Sequence, residues 1–135
     1  QTYANENGFH FTYNPYVVDY GSCGTNATWE LYENGLLFIS GSGAMNRCTV
    51  PEGAPWYKYS QDIKAIKIGS NITSIASFTY FAYANCTSFT VLNPTAVFDS
   101  AVIAPSANNL TIYGYAGSTA QTYAESRSIP FVALD

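Results

Sequence analysis

Four kinds of side chain in this sequence could do chemistry. The single histidine, His10, would have to serve as base in any Ser-His-Asp arrangement, and its place among Phe9, Phe11 and Tyr13 reads as a surface or arm residue. Carboxylates for glycoside hydrolysis could be drawn from Glu30, Glu33, Glu52, Asp62, Asp99 and Glu125. Glu30 and Glu33 lie on or beside a predicted hairpin turn, Asp62 begins a strand and Asp99 falls in a loop, so no two of them have a reason to be buried together. Cys23, Cys48 and Cys86 allow at most one internal disulfide, and the hairpin between them makes Cys23 with Cys48 the pair to test. The preferred reading of each is a small buried apolar residue. Cys-x-x-Cys spacing and histidine pairs are absent, so no metal or cofactor is expected.

Other features are weaker still. Gly41-Ser-Gly43 lacks the lysine and third glycine of a phosphate loop and reads as a turn. Four Asn-x-Thr sequons, at Asn26, Asn71, Asn85 and Asn109, matter only where secreted proteins are glycosylated. Tyr57, Tyr59, Tyr80, Tyr83, Tyr113 and Tyr115 could stack on sugars or on a partner protein. Core packing is the favoured reading for most of them.

Composition narrows the classes. Charged residues make up 10% of the 135 and aromatics 16%, while Ser, Thr and Asn together supply 37 residues. Neutral hydrogen-bonding groups thus carry the polarity, which excludes a charge-driven disordered segment and a coiled coil. With a net charge of -4 and five scattered cations (Arg47, Lys58, Lys64, Lys67 and Arg127), nucleic acid is excluded as a partner. From Lys67 to Glu125 only Asp99 is charged, yet Ser, Thr and Asn interrupt every apolar run, so no transmembrane segment is predicted. The residues from Gln1 carry no basic, apolar leader, and any secretory signal is expected to have been removed or to lie outside the chain. The balance of residues suits an extracellular β-protein.

The elements that must position these groups can be read in order. Residues 1–20 suggest an edge strand or an ordered arm. Thr28 to Ile39 is a hairpin around Asn34-Gly35, and parity chooses its loop. A two-residue loop would set Leu31 against Phe38, whereas a three-residue loop, Glu33-Asn34-Gly35 with Gly35 left-handed, pairs Leu31 with Leu37 and Trp29 with Ile39. The latter collects one apolar face and is preferred. Pro55 is placed at the first position of a helical turn through Trp56, Tyr57 and Tyr59. Ile66-Lys-Ile68 suits a strand with Lys67 outward, and Ile72-Thr-Ser-Ile75 a turn that buries its ends. Phe89–Leu92, Val97-Phe98 and Leu110–Tyr113 continue as short extended pieces. Ser118 and Gln121 form a capping box for a helix from about Thr119 to Arg127, with Ala120, Tyr123 and Ala124 inward, Pro130 as its stop and Phe131–Leu134 as a last strand.

Several motifs in series resemble a known family. Cys23-Gly24, Thr28-Trp29-x-Leu31, Leu37-x-Ile39-Ser-Gly-Ser-Gly-Ala-Met45, Ala54-Pro-Trp56 and Ile63-x-x-Ile66-x-Ile68-x-x-x-Ile72-Thr-Ser-Ile75 resemble the N-terminal unit and first repeat of BspA-like leucine-rich-repeat proteins of bacterial surfaces. Leu92-Asn-Pro94, Thr111–Ala120, Tyr123-Ala124 and Ile129-Pro-Phe131 are similar to the segment that ends such proteins. The stretch from Ile75 to Ala82 is longer than the family pattern by about three residues, and the next coil is shortened. Tyr83 stands where that pattern is apolar and buried.

The resemblance implies a mainly β fold with short helices, a miniature leucine-rich-repeat solenoid: an arm or edge strand over 1–20, a hairpin capping unit over 21–62, one to two coils over 63–92 and a cap with its helix over 93–135. It further implies a secreted or cell-surface, non-catalytic module for adhesion or binding to a host or bacterial surface protein, with no catalytic, cofactor or metal residues and no ligand-binding residue assigned. A carbohydrate-binding module using exposed Tyr and Trp is the alternative, and a small glycoside hydrolase the third.

Overall fold

The computed structural model describes residues 14–47, 53–76, 83–99 and 109–134. These form ten strands and one helix, a mainly β fold. Strands β1 (Val17–Ser22), β2 (Ala27–Tyr32), β3 (Leu36–Gly41), β5 (Ala65–Ile68), β7 (Ser88–Val91), β9 (Thr111–Gly114) and β10 (Phe131–Ala133) make a seven-stranded sheet in the order β1-β2-β3-β5-β7-β9-β10. β4 (Gly43–Ala44), β6 (Ile72–Ile75) and β8 (Val97–Phe98) make a second sheet in the order β4-β6-β8. From β3 to β9 the chain visits the two sheets alternately, and each new strand lies parallel to its predecessor in the same sheet.

The hairpin register follows from its loop. Leu31 lies opposite Leu37 and Trp29 opposite Ile39, the three-residue alternative. Gly35 has φ +92°, a left-handed value that carries little cost only for glycine, and its amide donates to the Tyr32 carbonyl at 2.9 Å. A side chain there would also meet the Asp62 carbonyl at 2.9 Å.

Parallel pairing then stacks like on like. Leu37, Ile66, Phe89 and Ile112 are register partners across four consecutive strands, and Ile39, Ile68 and Val91 form a second row. Every one of these side chains is buried. At about 1.5 to 3 kcal/mol for each fully buried large apolar side chain, the two rows dominate the cohesion of the sheet.

The second sheet corrects one expectation. Ile72–Ile75 is a strand and no turn, although both ends are buried as read. Gly43 pairs with Ile72 and Ala44 with Ser74, so Thr73 is an extra residue in the ladder. That irregularity breaks the period of two and lets Ile72 and Ile75 both face the core. Pairing on both sides, with β4 and β8, satisfies the backbone that a turn would have left open.

Three further details depart from the sequence reading. The edge strand is Val17–Ser22, antiparallel to β2 and straddling residue 20, while Phe9, Phe11 and Tyr13 lie outside the described residues. The turn after Pro55 is a 3-10 helix over Tyr57–Tyr59, with Pro55 in the preceding turn closed by the Tyr57 amide on the Ala54 carbonyl at 3.0 Å. The helix α1 (Thr119–Ser126) starts as expected, the Gln121 amide donating to Ser118 Oγ at 3.2 Å. The Gln121 side chain, however, accepts from the Gly117 amide at 2.8 Å, one residue before the cap.

The helix also ends before Pro130 is reached. Ser128 has φ +58°, its amide donates to Glu125 and the Ile129 amide donates to the Ala124 carbonyl at 2.9 Å, a Schellman closure with serine in the place usually held by glycine. Ala120 and Ala124 are buried, and Tyr123 is half-buried, stacked on Phe98 with ring centroids 4.2 Å apart. No helix among the described residues is long and apolar enough to cross a membrane.

Candidate functional site

The seven-stranded sheet hides one face and presents the other. Register partners Tyr20, Glu30, Phe38, Lys67, Thr90, Tyr113 and Val132 form one row across all seven strands on the face opposite the buried rows. Tyr20 is 74% exposed and Val132 47% exposed at the two ends of the row. With neighbouring strands about 4.8 Å apart, Tyr20 stands about 10 Å from Phe38, and Phe38 about 14 Å from Tyr113. Such a face offers aromatic contact area with one carboxylate and one ammonium group.

A second feature lies at the end of this sheet where β3, β5 and β7 begin. Tyr16, Val18, Tyr32, Glu33, Tyr59, Asp62, Lys64 and Asn85 border a cleft of about 530 Å³. Two of its tyrosines are locked. Tyr59 donates its hydroxyl to Asp19 Oδ2 at 2.7 Å, and Tyr32 donates to Glu30 Oε1 at 3.0 Å. Hydrogen bonding to the carboxylate raises each phenol's pKa above its ordinary value, and the bond from Tyr59, followed by one from the Tyr20 amide, holds the Asp19 carboxyl below its own. Asn85 donates to the Gln61 carbonyl at 2.7 Å and fixes the cleft's far wall. Glu33 Oε2 is buried and has no hydrogen-bond partner among the described residues.

The sequence-predicted residues scatter around these features. His10, Cys48, Glu52 and Tyr80 lie outside the described residues. Glu30 belongs to the open sheet face, Asp99 pairs with Arg47 at 3.6 Å on the surface, and Glu125 accepts from Gln121 Nε2 at 3.1 Å on the helix. Glu33 and Asp62 border one cleft, a proximity that the sequence did not show. Asp62 is exposed and Glu33 half-buried, so the pair is not enclosed together.

The tyrosines divide. Tyr83 is a core residue whose hydroxyl accepts from Trp56 Nε1 at 2.8 Å. Tyr113 and Tyr115 are half-buried, and Tyr57 is exposed. Sequence reasoning missed Tyr16, Tyr20, Tyr32 and Phe38; the hairpin parity that put Trp29 and Leu31 inward already implied that Glu30 and Phe38 face outward.

Cysteine chemistry is closed off at the two described cysteines. Cys23 and Cys86 are free thiols, buried, and desolvation pushes both up to about 12. Gly41 ends β3 and Gly43 begins β4, with φ of +88° and +82°, so the segment read as a turn is a bend at Ser42 between two strands. All four sequon asparagines are exposed. Among the described residues no group of three or more His, Cys, Asp or Glu side chains could hold a metal.

Comparison with known proteins reaches the fold. No family model matches the chain and no curated protein matches it. A leucine-rich-repeat protein from Eubacterium ventriosum is similar in structure, with 23% sequence identity and a TM-score of 0.53 over 86% of this chain. The fold is of leucine-rich-repeat type. This chain spans 26% of the length of that bacterial protein. The parallel strands β3, β5, β7 and β9 of the larger sheet carry the row from Phe38 to Tyr113.

Proposed function

We propose that this chain is a non-catalytic protein-binding module of a BspA-like leucine-rich-repeat protein, secreted or displayed on a bacterial surface, that acts in adhesion to a host, matrix or bacterial surface protein. In this reading the alternation of parallel strands between the two sheets is a miniature solenoid, closed by the antiparallel β1-β2-β3 unit with its β2–β3 hairpin at one end and by α1 with β10 at the other. A short solenoid has few coils to share its core, so its two caps carry much of the burial.

The observation that carries the reading is the open sheet face. Tyr20, Phe38, Tyr113 and Val132 run in one register row with Glu30 and Lys67 between them, an aromatic stripe edged by charge of the kind that makes protein contacts. The test is a binding screen of the purified chain against matrix proteins, glycans and bacterial surfaces, repeated with Tyr20→Ala. Capture of a protein that the substitution weakens supports the reading; no capture, or capture indifferent to Tyr20, removes it.

One observation favours a second reading, a carbohydrate-binding module. Rings about 10 and 14 Å apart along a single face match the scale of a few sugar units. Glycan capture in the same screen, with no protein bound, selects it. A hydrolase using Glu33 and Asp62 is supported only by their shared cleft, and turnover of an oligosaccharide that is lost in Asp62→Asn would select it.

A further inference from the structure

The two charges on the open sheet face are placed symmetrically about a ring. In the row that crosses the seven strands, Phe38 has Glu30 on one neighbouring strand and Lys67 on the other, each about 4.8 Å away across the sheet. Tyr20 and Thr90 follow at two strands' distance on the same two sides. Neither Glu30 nor Lys67 takes part in an ion pair among the described residues. Glu30 accepts from the Tyr32 hydroxyl at Oε1, and Lys67 is exposed. The rows on either side are neutral and mostly small, Thr28 with Ser40 and Leu36 with Ala65, Ser88 and Thr111. Small neighbours leave room for another sheet to approach the ring and its two charges.

We propose that a second copy of this chain occupies the face, docked sheet to sheet about a two-fold axis that runs along β3 above Phe38. Such an axis turns the row end for end. Glu30 then lies across from Lys67 of the other copy, and Lys67 across from its Glu30, so one pattern makes two ion pairs. Tyr20 lies across from Thr90 of the other copy, and the two Phe38 rings meet at the centre. A two-fold axis along the row would instead set Glu30 against Glu30 and Lys67 against Lys67, so charge selects the first arrangement. Aligned sheets pack about 10 Å apart at about 30°, which displaces a pair only one strand from the axis by about 2 to 3 Å. The ring and both charges sit on β2, β3 and β5, which are interior strands, so the arrangement does not depend on what lies beside the edge strand β1. Five strands, β1, β2, β3, β5 and β7, overlap about this axis, an area of about 400 Å² on each copy. That is less than a permanent dimer buries, so the contact is weak between single copies and gains strength between surfaces that each carry many. The assignment rests on the sheet-face reading and names the partner as a like copy.

The test is sedimentation equilibrium of the full chain from about 10 μM to about 1 mM, the range of a weak contact. The chain is expected to pass from monomer to dimer across that range, less readily as salt is raised. Glu30→Lys and Lys67→Glu should each weaken the dimer at least about tenfold by setting like charges across the axis, with thermal melts close to the parent's. Mixed in equal amounts, the two variants should associate with each other as tightly as the parent does with itself, because every pair across the axis is again opposite in sign. The double variant should dimerise alone for the same reason. Should Glu30→Lys fail to fold, Glu30→Gln added to Lys67→Glu must recover part of the loss. A chain that stays monomeric throughout, a dimer that ignores both substitutions, or a mixture no tighter than either variant alone overturns the proposal. Failure of the two readings can be told apart. A monomeric chain that captures a matrix protein through Tyr20 removes the dimer and leaves the sheet-face reading, whereas charge-swap rescue with no foreign protein captured keeps the dimer and removes host and matrix proteins as partners of the face.

Discussion

Trp56 donates its indole hydrogen to the Tyr83 hydroxyl at 2.8 Å inside the core, tying the turn before the 3-10 helix to the segment that leads into β7. Trp56 also meets Trp29 edge-on, with ring centroids 6.0 Å apart at 72°. A polar atom at the Tyr83 position of a leucine-rich-repeat core is thus repaid by a donor 27 residues away. Tyr83→Phe keeps the ring and removes that bond. It should lower stability by about 1 to 2 kcal/mol, the cost of a buried donor losing a partner, read as a lower urea midpoint with an unchanged slope.

Trp29 anchors the hairpin. Its side chain is 4% exposed, and Trp29→Ala should cost about 3 to 5 kcal/mol. Gly21 makes room for it, because a Cβ there would sit 2.9 Å from the indole nitrogen. Gly21→Ala should therefore destabilise by about 1 to 3 kcal/mol through overpacking. A melting temperature that either substitution leaves in place would contradict the inward face assigned to β2.

Ser128 closes the helix in a conformation that serine adopts reluctantly, φ +58°. Replacing it with glycine keeps the Schellman bonds and relieves the strain, so Ser128→Gly should raise stability by about 0.5 to 1 kcal/mol. At the other end, Ser118→Ala loses the bond to the Gln121 amide and should lower stability by about 1 kcal/mol. Paired thermal melts of the two variants test both ends of α1.

The buried thiols set an alkaline limit. Cys23 and Cys86 stay protonated in the folded chain up to about 12, whereas an unfolded thiol ionises near 9.0. Between those values the folded state holds more protons, so the stability present below pH 9 declines as pH rises toward 12. Urea midpoints measured from pH 8 upward should fall, and less steeply in the Cys23→Ala, Cys86→Ala double variant. Thiol reagents at pH 8 should label neither residue until the chain is unfolded.

Tyr20 and Lys67 are exposed members of the sheet-face row. Tyr20→Ala and Lys67→Glu should each change stability by less than about 0.5 kcal/mol, as surface substitutions away from the core do. Any loss of partner binding in these variants then reports contact and not folding, and calorimetry alongside a binding assay separates the two.

Much of the fold was legible because its signals are local. Alternation and Asn34-Gly35 specify the hairpin and its register, Lys67 between two isoleucines specifies an outward position, and Ser118 with Gln121 marks the start of the helix. Where the reading failed, a distant partner had decided. Ile72–Ile75 looked like a turn because Ile72 and Ile75 are three apart, but pairing to β4 and β8 makes it a strand with an extra residue. The helix ends near Arg127 as expected, but Pro130 is not what stops it: Ser128 closes it through backbone bonds that its residue type does not announce.

By itself the sequence determined which side chains enter the core and the handful of turns that force the chain back on itself, since these depend on residue type, parity and neighbours a few positions away. Only the tertiary structure decided that Tyr16, Glu33, Asp62, Lys64 and Asn85 share a cleft and that Tyr20, Phe38, Lys67, Tyr113 and Val132 share a face. The reason is the parallel ladder. It brings the starts of β3, β5 and β7 to one end of the sheet whatever lengths of chain separate them, and that alignment of distant backbone has no signature in any local stretch of residues.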